Sequence, residues 1–128
     1  MKRVVVDASA LAALVFQEPE AAEIGARLHG AELHAPVLLK FELANTAWKK
    51  IRQRPSDTAQ IIRALNKALD PKRSIFWHQV DHADAVLTAH AIGLSTYDAS
   101  YLWLAGFLGA ELVTLDKRFA RSAREHDD

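Results

Sequence analysis

Residues 4–9 read Val-Val-Val-Asp-Ala-Ser, and this stretch decides the fold. Consecutive β-branched residues suit a strand buried on both faces, because a strand with one wet face alternates apolar with polar. Asp7 falls where that strand ends, and Ala8 to Phe16 reads as a short helix. A doubly buried strand running straight into a helix is the unit from which parallel sheets are built.

The rest of the chain keeps the alternation. Pro19 suits the first turn of a second helix, which carries Ala21, Ile24 and Leu28 and stops near Gly30. Glu32 to Ala35 is a short strand. Pro36 opens a longer helix whose apolar positions include Val37, Phe41, Ala44, Trp48 and Ile51, halted before Pro55. Ser56 is the expected cap of a helix reaching about Leu69, and Ile75 to Val80 reads as a strand. Asp81 with Asp84 starts a helix that ends near Gly93. Ser95 starts the next, with Tyr101, Leu104 and Leu108 on one stripe and Gly109 as its stop. Glu111 to Leu115 is the last strand and Lys117 to Arg124 the last helix, leaving 125–128 as a loose polar tail. This order predicts a single α/β domain over 1–128 around a mainly parallel sheet.

Composition narrows the chemistry. Half of the 128 residues are apolar and a quarter are charged, ordinary for a globular domain. With no cysteine, the chain has no disulfide, no thiolate nucleophile and no cysteine-based zinc site. No apolar stretch has the length of a membrane span and no secretory signal opens the chain, so a cytoplasmic protein is expected. Sixteen Lys and Arg balance sixteen Asp and Glu, so no overall positive field attracts nucleic acid. The basic residues are clustered, however: Lys49, Lys50, Arg52 and Arg54 in one group, Lys117, Arg118, Arg121 and Arg124 in another. Each group is either a solvated helix end favoured by the dipole or a phosphate contact.

Most of the acids have bland addresses on helix surfaces, but four do not. Asp7 follows Val4-Val5-Val6, and Asp116 follows Leu112-Val113-Thr114-Leu115, so each lies at the carboxyl end of a buried strand, where parallel α/β sheets bind ligands. Each is also well placed to cap the helix that follows. Glu42 shares a helical stripe with Leu38, Asn45 and Lys49. Asp98 closes a capping-box pattern, Ser95-Thr96-Tyr97-Asp98, and heads the inward stripe continued by Leu102 and Ala105. Carboxylates without cysteine or histidine beside them suit a hard divalent ion, not zinc. Converging negative charges also repel unless a cation offsets them.

The segments holding these acids are Val-Val-Val-Asp-Ala-Ser at 4–9, Phe-Glu-Leu-Ala-Asn at 41–45, Thr-Tyr-Asp-Ala-Ser-Tyr-Leu at 96–102 and Leu-Val-Thr-Leu-Asp-Lys-Arg-Phe at 112–119. Together they resemble the PIN domain family, and more narrowly its VapC-type toxins from toxin–antitoxin systems. The resemblance implies a PIN-like α/β/α sandwich with a mainly parallel sheet of four or five strands. Relatives often add a last strand, for which this chain shows no segment. It further implies an endoribonuclease using Mg2+ or Mn2+, with Asp7, Glu42, Asp98 and Asp116 as catalytic metal ligands, that leaves 5′-phosphate and 3′-hydroxyl ends and inhibits translation. Ser9 and Thr114 match hydroxyl positions beside the metal, and Asn45 matches a polar position one turn after the glutamate. Lys49, Arg52, Lys117, Arg118 and Arg121 become candidates for the RNA backbone. A VapB-type antitoxin and a homodimer are the implied partners.

Other readings compete with this one. A housekeeping PIN nuclease would have no antitoxin, and a non-catalytic RNA-binding module would not need the full set of acids. A receiver domain also collects acids at strand ends, but it pairs two acids after the first strand, where Asp7 is followed by Ala8 and Ser9. The six histidines are scattered and are expected to be structural or on the surface. Trp48, Trp77 and Trp103 are expected to anchor the core. The apolar content of the first two helices, including Leu11, Leu14, Val15, Phe16, Ile24 and Leu28, predicts some exposed partner-binding surface there.

Overall fold

The valine run forms β1, Arg3–Val6, and Val4, Val5 and Val6 are all fully buried. The computed structural model describes residues 2–72 and 75–127. After β1 come α1 (Ala8–Val15), α2 (Ala21–Leu28), β2 (Glu32–Pro36), α3 (Leu38–Gln53) and one 3-10 turn at Pro55–Asp57. The chain continues as α4 (Thr58–Ala68), β3 (Ile75–His78), α5 (His82–Ile92), α6 (Thr96–Leu108), β4 (Glu111–Val113) and α7 (Lys117–Asp127).

Among the described residues the sheet has four strands in the order β3-β2-β1-β4, and every pairing is parallel. Register places Val5 beside His34 and Leu112, and Val4 beside Leu33 and Glu111. Leu33 and Ile75 share a groove with Leu11, Leu14 and Ala68, so α1 and α4 cover that face of the sheet. On the other face Leu112 meets Leu102 and Ala105 of α6, which also packs against β1 and β2 with α5 behind it. The result is the expected α/β/α sandwich. All four strands run the same way, so their carboxyl ends share one edge.

Several boundaries move. Pro36 ends β2 and does not open α3, because the strand ladder continues through it: Pro36 aligns with His78, and the Val37 N–H donates to the His78 carbonyl at 2.9 Å. Ser56 does not cap α4; it lies within the 3-10 turn, whose Pro55 carbonyl accepts from the Thr58 hydroxyl at 2.6 Å. The helix α7 runs on through Asp127, past the expected end at Arg124. Asp128, the last residue of the expected tail, lies outside the described residues.

The buried face of α3 is also different. Leu39, Leu43 and Ala47 are buried, while Phe41 is 74% and Trp48 52% exposed. Trp48 therefore is not a core anchor; the Arg52 guanidinium lies over its ring, 4.8 Å from the centroid. Trp77 and Trp103 are half-buried and pack against the core. None of the six apolar residues singled out in α1 and α2 is exposed: Leu11, Ile24 and Leu28 are buried, and Leu14, Val15 and Phe16 are half-buried against the core. The large exposed apolar side chains lie instead mostly on α3, α5 and α6.

Candidate active site

Asp7 leaves the end of β1 and caps α1, its Oδ1 accepting the Ala10 N–H at 3.0 Å. Capping occupies only part of its capacity. The same Oδ1 accepts the Ser9 hydroxyl at 2.7 Å, and Oδ2 accepts the Thr114 hydroxyl. Both hydroxyls are themselves held by backbone: Ser9 Oγ accepts the Leu115 N–H at 2.9 Å and Thr114 Oγ1 the Asp116 N–H at 3.0 Å. Asp7 is thus an almost fully buried carboxylate in a fixed cradle. Burial pushes its pKa up, and the hydrogen bonds pull against that shift.

The last strand, β4, stops at Val113 and not at the expected Leu115, so Asp116 lies three residues past it; there it caps α7 by accepting from the Arg118 and Phe119 N–H groups at 3.0 and 3.1 Å. It is exposed. Asp98 lies in the first turn of α6, where its N–H donates to the Ser95 hydroxyl at 3.1 Å. The reciprocal half of a capping box is missing: among the described residues no hydrogen bond reaches the Asp98 carboxylate. Glu42 faces inward from α3 and accepts the Tyr101 hydroxyl of α6 on Oε1.

Electrostatics connects the four. Asp7 feels the charge of Asp116, Glu42 feels Asp98 and Asp7, and Asp98 feels Asp116 and Asp7. Burial is the leading cause of the upward shifts of Asp7, Glu42 and Asp98, and these mutual repulsions add to it. No ion pair among the described residues involves any of the four. As placed, no three described His, Asp or Glu side chains close tightly enough around one point to enclose an ion. A hard ion that keeps several waters does not need three direct carboxylates. The donor set of oxygens, in no ion pair with a cation among the described residues, fits such an ion.

The supporting residues divide. Ser9 and Thr114 are in the cradle, whereas Asn45 is exposed one turn beyond Glu42 and makes no side-chain hydrogen bond to Asp7, Asp98 or Asp116 among the described residues. Asn45, Lys49 and Glu42 line one shallow cleft with Ala8 and Phe41. Lys117, Arg118 and Arg121 are exposed on the first turns of α7, directly after Asp116, and Arg52 rests on Trp48. Tyr101 was expected only as part of an apolar stripe. A tyrosine three residues after Asp98 was the available signal, since a buried tyrosine hydroxyl needs a partner. A second cluster lies outside the site: the two ring nitrogens of His34 bond Glu32 at 2.6 Å and His78 at 2.8 Å.

A family model described as the PIN domain matches residues 4–125. The chain belongs to the PIN domain family. This PIN domain is 33% identical over 122 residues to a ribonuclease VapC3 of Pyrobaculum aerophilum, covering 92% of each chain. It is 30% identical to a ribonuclease VapC12 of Mycobacterium tuberculosis, covering 93% of this chain and 91% of that one. Its fold is similar to the crystal structure of PAE2754 from Pyrobaculum aerophilum, with a TM-score of 0.74, 29% identity and coverage of 94% of this chain and 84% of that one. It also resembles Mycobacterium tuberculosis VapC20, a sarcin–ricin loop cleaving toxin, at a TM-score of 0.66 with 15% identity, covering 93% of this chain and 94% of that one. That last likeness is one of fold.

Proposed function

We propose that this PIN domain is a VapC-type endoribonuclease that hydrolyses RNA phosphodiester bonds with Mg2+ or Mn2+ and is the toxin of a pair with a VapB-type antitoxin. One observation carries the chemistry: carboxylates from four separate segments come near enough for Asp7 to feel Asp116, Glu42 to feel Asp98 and Asp7, and Asp98 to feel Asp116 and Asp7, with no ion pair among the described residues to offset them. Asp7, Glu42, Asp98 and Asp116 are the ligands, directly or through water. An ion held there would supply Lewis-acid chemistry, lowering the pKa of a bound water and offsetting negative charge on phosphate oxygens. The chain's own work is positional. Ser9 and Thr114 fix Asp7, the N-terminus of α7 fixes Asp116, and Lys117, Arg118 and Arg121 offset the repulsion between an acidic cleft and the RNA backbone. The names of the VapC3 and VapC12 relatives support ribonuclease activity and an antitoxin partner.

A second copy of the chain is the other proposed partner. Phe41, Val86 and Tyr97, all more than half exposed, line one groove of about 790 Å3 beside the acids. The test of the activity is direct. Purified protein should cut RNA with Mg2+ or Mn2+, stop in EDTA, and fall to background as Asp7→Asn while remaining folded. Cleavage in excess EDTA, or undiminished cleavage by Asp7→Asn, overturns the assignment.

A further inference from the structure

Tyr101 is the largest of the fully buried side chains, 1% exposed, yet it carries a polar group at its tip. That hydroxyl crosses from α6 to α3 and donates to Glu42 Oε1 at 2.5 Å, joining the two helices that bear Glu42 and Asp98. The interaction spans 59 residues of sequence and is the one hydrogen bond that the described residues offer to the Glu42 carboxylate. The acceptor needs holding. Glu42 is a long, half-buried side chain, Asp98 and Asp7 repel it, and the exposed Lys49 lines the same cleft. Left free, the carboxylate would relax outward, away from Asp7 and toward Lys49 and water.

From this geometry we propose that Tyr101 is a positioning residue for the ion: its hydroxyl pins one oxygen of Glu42, keeping the other turned toward Asp7 and Asp98. The inference rests on the acidic site being the metal site. A phenol hydroxyl keeps its proton through the neutral range, so it serves Glu42 as a donor there. The packed ring fixes where that donor points, since its two torsions are set by the core and not by solvent. A purely structural tyrosine would use the same bond only to satisfy its own buried hydroxyl.

Calorimetry of Mn2+ binding to the whole chain, without RNA, separates the two roles. Tyr101→Phe keeps the ring and removes the pin, and should weaken Mn2+ binding by about tenfold or more, as the loss of groups orienting metal ligands commonly does. Adding Glu42→Gln to Tyr101→Phe should cost less than Glu42→Gln alone costs in the wild type, because both changes act through one ligand. Glu42→Asp serves where Tyr101→Phe melts too early in EDTA. It keeps the charge, loses the reach to Tyr101, and should bind Mn2+ no better than Glu42→Gln. Wild-type Mn2+ affinity in folded Tyr101→Phe, or in Glu42→Asp, overturns the positioning role. Wild-type affinity in Asp7→Asn would instead overturn the metal site itself.

Discussion

At the scale of single residues, the acids differ in what they would lose by being neutralised. Asp7 caps a helix and accepts two hydroxyls, so Asp7→Asn relieves repulsion but disturbs bonds made to a charged acceptor. Asp98 accepts no hydrogen bond from the described residues, and its pKa is pushed up by burial and by Asp116 and Asp7. Asp98→Asn should therefore raise the melting temperature of the metal-free protein, by on the order of a few degrees, while abolishing cleavage. The pH dependence has a definite sign. Raised folded-state values for Asp7, Glu42 and Asp98 give a contribution fully present below their ordinary values, 3.8 for Asp and 4.5 for Glu, and lost as pH rises through the raised ones. His78 is shifted down by burial and by His34, so its contribution is present above 6.5 and lost as pH falls toward its lowered value. Comparing melting curves in EDTA and in saturating Mg2+ removes the histidine from view. The stabilisation by Mg2+ should grow as pH rises above the ordinary carboxylate values through the raised ones, and a pH-independent difference would show that the carboxylates do not titrate as one site. Asp7 and Asp116 stood out in the sequence because a carboxylate just past a buried strand is costly unless it has work to do, whereas Glu42 and Asp98, on helices, were marked out by their stripes and by the family resemblance. Tyr101 was not, because an inward tyrosine on a helical stripe looks the same whether or not its hydroxyl meets a ligand.

At the scale of elements, periodicity identified α3 but chose the wrong side of it. Phe41, Ala44, Trp48 and Ile51 recur at helical spacing, and so do Leu39, Leu43 and Ala47 on the opposite face. With apolar side chains on both sides, spacing cannot say which side the sheet takes. Leu39, Leu43 and small Ala47 are the buried set, and the bulky aromatics remain outside. The basic clusters part company at the same scale. Lys50 and Arg52 close α3 at its C-terminal end, where the dipole favours cations, and Lys50 also pairs with Glu18 at 3.5 Å. Lys117 and Arg118 open α7, where the dipole disfavours them, with only the Asp116 cap in compensation. A helix-stabilising role thus explains the first cluster and fails for the second. Changing Lys117, Arg118 and Arg121 together to Gln should leave folding intact and weaken RNA binding evenly across sequences. It should also make the dependence of log affinity on log salt shallower by about 2 units for single-stranded RNA. An unchanged salt slope in filter-binding titrations would mean that these side chains meet only water.

At the scale of the whole molecule, the strand order accounts for the site. β1 lies between β2 and β4, so Asp7 and Asp116 emerge side by side, and the helices entering from either face add Glu42 and Asp98. Alternating strands and helices made the parallel sheet legible, but strand order depends on long crossovers that leave no local trace in the chain. The same arrangement leaves an apolar surface uncovered. Phe41 at the start of α3, Tyr97 at the start of α6 and Val86 on α5 come from distant segments yet face one groove, at 74%, 62% and 54% exposure. Scattered exposed apolar residues are common, but three large ones lining one groove mark a contact surface. A chain of zero net charge offers little long-range repulsion against its own copy, and two copies meeting here would cover the surface symmetrically. Sedimentation velocity should therefore show a dimer at micromolar concentration. Val86→Glu is the cleanest probe, because Val86 lies on α5, which carries none of the four acids and none of Ser9, Thr114 and Tyr101. It should convert the dimer to a folded monomer that still binds Mn2+ with wild-type affinity. A wild-type chain that sediments as a monomer, or a Val86→Glu chain that remains a dimer, would remove this surface from the assembly.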